Sequence, residues 1–197
     1  AVWLAHCWQE LGNPAMYRLV ELGPGRGTLM SDILRTFKRL SLPQPHIHLV
    51  EINETLIKQQ KQTLTPYDSS TLHWHDRFED IPTDAPLLII ANEFFDALPI
   101  HQYVYKNESW YERKVGLNKQ EERIFVLSDT PATTIPTTIL GHADMIYEAS
   151  PVANAITHHI ASTLMKTDGA MLVIDYGYTG NGGKDTLGCA NRGHNFS

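Results

Sequence analysis

Cysteine is nearly absent: Cys7 and Cys189 are the only two in 197 residues, and they form neither a CxxC pair nor a disulfide framework. A reducing, cytosol-like compartment is the default for such a chain. Positive charge is also short, with 16 Lys and Arg against 22 Asp and Glu and a net charge of −6. Without clustered Lys or Arg there is no electrostatic footprint for general nucleic-acid binding. No apolar run approaches the roughly 20 residues of a membrane span, and no basic leader of a signal peptide opens the chain. Internal repeats and low-complexity tracts are missing as well. What remains is the composition of an ordinary soluble globular protein, 42% hydrophobic and 19% charged, with length for one domain and a real core. Both ends read as cut. There is no initiating Met, Trp3, Leu4, Cys7, Trp8 and Leu11 already repeat at helical spacing, and "CANRGHNFS" closes no element. A fragment of a longer protein is expected.

Along the chain, apolar strands alternate with amphipathic helices. A first helix stops at Gly12-Asn13-Pro14. "YRLVELG" reads as a buried strand, and Leu29, Ile33, Phe37 and Leu40 mark a helix face that ends before Pro43. "HIHLVEIN" is the next strand, followed by a helix with Asn53 as N-cap. "TLHWHD" and "PLLIIANEF" add two more strands, and "AMLVIDYG" a fifth, preceded by a helix starting at Ser150-Pro151 with Val152, Ile156, Ile160 and Leu164 toward the core. The pattern predicts strands near 18–22, 47–51, 71–75, 87–91 and 170–175 in an open, mostly parallel α/β sheet with helices on both faces. Between them, "HQYVYK", "NES" and "WYERKVGL" predict a hairpin over 101–117, "RIFVLS" a further strand, and "DTPATTIPTTI" a loop. One domain over 1–197 is expected, with 101–145 as a hairpin and loop region inserted after the fourth strand.

The stretch "LVELGPGRGTL" carries the first chemistry. Gly23, Gly25 and Gly27 fall on alternate positions between a strand and a helix N-terminus, where glycine permits positive φ and close approach of a ligand. The plainer reading is a tight strand-to-helix turn. The spacing is GxGxG, not the GxGxxG of dinucleotide binders, and a second strand ends in Glu51 at the distance where an acid grips ribose hydroxyls. Acid, glycine loop and second acid together favour an adenosine-containing cofactor without a pyrophosphate, a description that S-adenosylmethionine fits.

"LVELGPGRGTLMSDILR", "HLVEIN", "ANEFFDALPIHQYVY", "WYERKVG", "YEASP" and "LVIDYGYTGNGGKDTL" occur in order. In these segments the chain resembles the MidA family of class I S-adenosylmethionine-dependent methyltransferases, which includes a mitochondrial protein arginine methyltransferase serving assembly of respiratory complex I. The resemblance covers nearly the whole chain, and implies a Rossmann-like class I methyltransferase sheet. It also implies an N-terminal segment and last strands that are absent here, and it breaks at residues 188–191, where "GCAN" replaces the expected pattern. It further implies that Glu21, Gly23, Pro24, Gly25 and Gly27 lie along the methionine part of S-adenosyl-L-methionine, that Glu51 holds the ribose, and that Asp76 contacts the adenine amine. Asp76 reads almost as well as a solvated loop acid.

In this class the segment after the fourth strand faces the transferred methyl. Here it is Asn92-Glu93-Phe94-Phe95-Asp96, without the Asn-Pro-Pro-aromatic signature of many amide and base methylases. Two carboxylates on one turn suit a guanidinium, so Glu93, Asp96 and Asn92 are the expected catalytic residues and a protein arginine side chain the expected acceptor. The plainer alternatives are that Glu93 caps a helix and Asp96 fixes the turn before Pro99. The resemblance implies a protein substrate such as a respiratory complex subunit, and a bacterial cytoplasmic or eukaryotic mitochondrial matrix location. His46/His48 and His73/His75 are i, i+2 pairs, yet no Cys or carboxylate cluster completes a tetrahedral set, and no metal is expected. Trp110 and Tyr111 suit either a substrate wall or hairpin packing. Two other functions stay open: a non-catalytic cofactor-binding assembly factor, and a nicotinamide-dependent oxidoreductase.

Overall fold

A computed structural model describes residues 1–136 and 138–177, together with the backbone of 189–191 and 194–196. The chain divides into two compact units, Ala1–Leu98 with Val152–Gly177, and Pro99–Pro151 with Tyr178–Ser197.

The first unit begins with helix α1 (Val2–Glu10), which ends where Gly12 and Asn13 adopt positive φ. Strand β1 (Arg18–Leu22), α2 (Thr28–Arg39), β2 (His46–Val50), α3 (Glu54–Thr63), β3 (Leu72–His75) and β4 (Leu87–Asn92) follow. Asn53 caps α3 as its residue type predicts, with Oδ1 accepting from the amides of Thr55 (2.9 Å) and Leu56 (3.3 Å).

In the second unit, β5 (His101–Lys106), β6 (Ser109–Leu117), β7 (Arg123–Leu127) and β8 (Ile146–Ala149) form one antiparallel sheet in the order β7-β6-β5-β8. The expected hairpin is therefore half of a four-stranded sheet. β8 has no alternation long enough to mark it in sequence, and its pairing with β5 creates it. The β5–β6 turn is the two-residue Asn107-Glu108, both at positive φ, as a tight hairpin requires. Trp110 is buried and packs edge-on against Tyr105 and Tyr147, which assigns it to the core of this unit.

Helix α4 (Pro151–Thr167) and β9 (Gly169–Ile174) return to the first unit. The backbone of Cys189–Asn191 and His194–Phe196 forms a short antiparallel pair, β10 and β11. The side chains at the sequence departure over 188–191 lie outside the described residues.

The first unit's sheet has the order β3-β2-β1-β4-β9, and every neighbouring pair is parallel. Period-two alternation sends side chains to both faces. Leu19, Ile47, Leu49, Leu88 and Ile90 pack with α1 and α2 on one side, while Val20, Leu22, Leu87, Ile89 and Ala91 pack with Ile156, Ile160 and Leu164 of α4 on the other. The mostly parallel α/β architecture is as the alternation predicts. Val152, expected toward the core, is exposed near the start of α4, and Trp3 and Leu40 of the apolar helix spacing are exposed as well.

Candidate active site

β1 lies between β2 and β4, so the connections from β1 and β4 leave in opposite directions along the sheet. Such a switch point opens a crevice beyond the carboxyl ends of the strands. A cavity of about 320 Å³ sits there, lined by Glu21, Gly23, Pro24, Gly25, Arg26, Thr28 and Leu29 after β1 and by Asn92 and Glu93 after β4.

Of the expected site residues, Glu21, Gly23, Pro24, Gly25, Asn92 and Glu93 thus line one cavity. Gly27 is buried behind it as the N-cap of α2, at φ +77, and an added Cβ would stand 3.4 Å from the Cα of Gln60. Gly23 is at φ +62, and a Cβ there would come within 2.9 Å of the Phe94 ring. Positive φ favours glycine at both positions, and close approach to the Phe94 ring adds to it at Gly23.

Glu21 is only 2% exposed. Its carboxylate accepts the amide of Met30 in the first turn of α2, and burial pushes its pKa up to about 7 against that bond's opposing pull. The other oxygen, Oε2, is buried without a hydrogen-bond partner. A buried unsatisfied carboxylate oxygen is costly unless something else completes it.

Glu51 follows β2 directly and stands beside the loop, where Gly23 N donates to Val50 O at 3.0 Å. Its Oε1 accepts from Asn53 N at 2.9 Å. Asp76 follows β3 and is exposed. Asp96 is also exposed, and its amide donates to Asp175 Oδ2 at 3.2 Å. Glu51, Asp76 and Asp96 do not line the cavity. Glu93 has an exposed side chain and a backbone at φ +49, pinned where its amide donates to Ile174 O at 2.8 Å.

Two residues that sequence reasoning passed over hold the loop from behind. Gln60 Nε2 donates to Gly25 O (2.8 Å) and Glu51 Oε2 (3.3 Å), and one helical turn on Thr63 Oγ1 donates to Arg26 O (2.8 Å). The only available signal was their i, i+3 spacing, which any helix of this composition shows.

The four strand histidines form a separate group. His46, His48, His73 and His75 stack across β2 and β3, with centroids 4.9–6.0 Å apart. His48 is 2% exposed, and both of its ring nitrogens are engaged, by His75 Nε2 at 2.8 Å and by the Arg18 guanidinium at 3.2 Å. Arg18 is in turn paired with Asp84.

A parallel sheet ordered 3-2-1-4-5, with a glycine loop after its first strand and an acid after its second, is the arrangement of class I methyltransferases. A crystal structure of a Burkholderia thailandensis protein superposes with a TM-score of 0.76, covering 96% of this chain and 53% of its own at 21% identity. A second from the same organism, with S-adenosyl-homocysteine bound, gives 0.70 over 89% of this chain and 45% of its own, also at 21% identity. At that identity the likeness is one of fold. The family described as "Putative S-adenosyl-L-methionine-dependent methyltransferase" matches residues 1–197. The curated "Protein arginine methyltransferase NDUFAF7, mitochondrial" is 33% identical in Danio rerio, over 91% of this chain and 48% of that protein. The Homo sapiens protein of the same name is 31% identical, over 91% of this chain and 46% of its own length. The chain belongs to this family, the MidA family of class I S-adenosylmethionine-dependent methyltransferases. It spans about half the length of the curated relatives it matches.

Proposed function

We propose that this chain carries the cofactor half and the methyl-acceptor turn of a protein arginine methyltransferase that uses S-adenosyl-L-methionine. The observation that carries the reading is the buried, unpartnered Oε2 of Glu21, in a cavity edged by the glycine loop at the switch point of the sheet. That donor set fits the cofactor. When bound, S-adenosylmethionine supplies a methyl group on a positively charged sulfur, open to displacement by a nucleophile.

The chain's own residues divide the work. Glu21 offers a buried negative charge to the ammonium of the methionine part, and the loop from Gly23 to Gly27 lets that part approach the backbone. Glu51 accepts from the ribose hydroxyls, and Asp76 is the candidate for the adenine amine. On the acceptor side, Glu93 with Asn92 aligns a guanidinium nitrogen and takes up its proton. Asp96, turned by Asp175, adds a second carboxylate at the rim. A guanidinium is matched bidentately by carboxylates in a way a lysine ammonium is not. The names of the relatives favour a protein substrate, with a respiratory complex subunit as the first candidate, and a mitochondrial matrix location in a eukaryote or the cytoplasm in a bacterium. Among the described residues no helix is long and apolar enough to cross a membrane.

The test is calorimetry of S-adenosylhomocysteine against NAD, followed by tritiated methyl transfer to a cell extract with amino-acid analysis of the product. Tighter binding of NAD, or label on no arginine, defeats the respective half of the reading.

Two quantitative results are expected of the same site. Glu51→Ala should weaken S-adenosylhomocysteine binding by about 2 kcal/mol, because a carboxylate accepting two hydroxyls makes two charge-assisted bonds. An affinity within about twofold of wild type removes Glu51 from the site. Cofactor binding should also release protons near pH 6. Glu21, with a pKa of about 7, is then mostly protonated in the free protein, and a cation placed against it drives the proton off. Calorimetry in buffers of different ionisation enthalpy reads this directly, and Glu21→Gln should abolish the buffer dependence.

A further inference from the structure

We propose that Gln60 is a positioning residue that sets the spacing between the glycine loop and Glu51, and through it the affinity for the adenosine part of the cofactor. The inference rests on the cofactor reading above. Gln60 is 0% exposed and sits on α3, outside the cavity lining. Its Oε1 accepts from Trp74 Nε1 at 2.9 Å, and its Nε2 donates to Gly25 O and Glu51 Oε2. An indole N–H can only donate, so Trp74 decides which end of the amide is oxygen. The NH₂ end is thereby aimed at its two acceptors. Trp74 is itself held in β3, paired in register with Leu49, with the Lys61 ammonium 5.1 Å above its ring.

The two acceptors belong to different parts of the site. Gly25 is in the loop after β1, and Glu51 begins the connection that leaves β2. Asn53 N fixes one oxygen of Glu51 and Gln60 the other, so the plane of the carboxylate is set before any ligand arrives. Holding a polar group in its bound geometry lowers the ordering cost of binding. On the loop side, Gln60 and Thr63 draw the carbonyls of Gly25 and Arg26 toward α3. Peptide planarity then turns the Arg26 N–H, which is anti to the Gly25 carbonyl, away from that helix.

The test is calorimetry of S-adenosylhomocysteine on the full-length protein and on Gln60→Glu, Gln60→Met, Glu51→Ala and the combination of Gln60→Glu with Glu51→Ala, with folding checked by circular dichroism. Gln60→Glu keeps an acceptor for Trp74 but, when ionised, can donate to neither Gly25 nor Glu51. Its Kd should rise by about tenfold or more, and Gln60→Met should behave alike. With Glu51 already removed, the same change should cost less than about threefold, because the partner it positions is gone. An unchanged Kd in the Gln60 variants, or the same factor in both backgrounds, overturns the inference while wild-type binding leaves the cofactor reading standing. Failure of the wild-type protein to bind overturns both.

Discussion

Glu93→Gln is expected to lower methyl transfer by about 10²-fold or more, the scale of a lost general base. The substitution keeps the size of the side chain and some of its hydrogen bonding, but removes the charge and the proton acceptor. S-adenosylhomocysteine binding should hardly change, since Glu21, Glu51 and the glycine loop carry that function. The backbone of Glu93 sharpens the test. At φ +49 it occupies the left-handed region, which disfavours any residue with a Cβ by roughly 1–2 kcal/mol. Glycine would relieve that strain, so Glu93→Gly should fold at least as stably as wild type while losing methyl transfer as severely. Tritiated methyl incorporation, thermal unfolding and cofactor calorimetry, run together, separate the outcomes. If transfer and cofactor affinity fall together, Glu93 belongs to cofactor binding or folding. If label appears on lysine or glutamine and none on arginine, the guanidinium assignment fails and methyl transfer survives.

Between pH 7 and 4.5, acid is expected to act on two buried groups in opposite senses, each by about 3 kcal/mol at 1.36 kcal/mol per pKa unit. His48 is held down at about 3, first by burial and then by the positive charges of His75, Arg18, His73 and His46. Its unfolded form takes up a proton near pH 6.5 and the folded form does not, so its contribution to stability is complete above that pH and is lost as pH falls toward 3. Glu21 is pushed up to about 7, so the folded protein keeps a proton that the unfolded chain gives up above about 4.5. Its contribution is largest at low pH and is lost as pH rises through 7. Asp84 on Arg18 and Asp80 facing His75 complete the charged surroundings of the histidines.

In the wild type the two slopes offset between pH 7 and 4.5, and substitution unmasks them. Glu21→Gln should lose about 3 kcal/mol of stability over that range, and His48→Gln should gain a similar amount. Urea unfolding at pH 4.5, 5.5 and 7 checks both. Parallel pH profiles in wild type and the two variants would show that neither group is as buried in solution as the fold makes it.

Much of this protein was legible before folding, because the signals involved are local. Buried strands announce themselves as short apolar runs, Asn53 as a cap by residue type, and the glycine loop by spacing between a strand and a helix. Even the offset of Glu51 past β2 costs little, since the acid only has to leave the strand's end. What local signals left open is whatever a distant partner creates. β8 exists because β5 offers it an edge, and Trp110 is core, not substrate wall, because Tyr105 and Tyr147 close over it.

The candidate site divides along the same line. The types and spacing of Glu21, Gly23, Gly25, Gly27 and Glu51 lie within a few residues of strand ends, and the sequence by itself determined them together with the α/β alternation that orders the sheet. Only the tertiary structure decided that β1 sits between β2 and β4, so that Asn92 and Glu93 meet the glycine loop across one cavity. It also decided that Glu21 is buried deeply enough to hold a proton near neutrality, and that Gln60, 35 residues from Gly25, ties that loop to Glu51. Desolvation and hydrogen bonds between distant segments depend on how layers stack in space, and no periodicity along the chain encodes them.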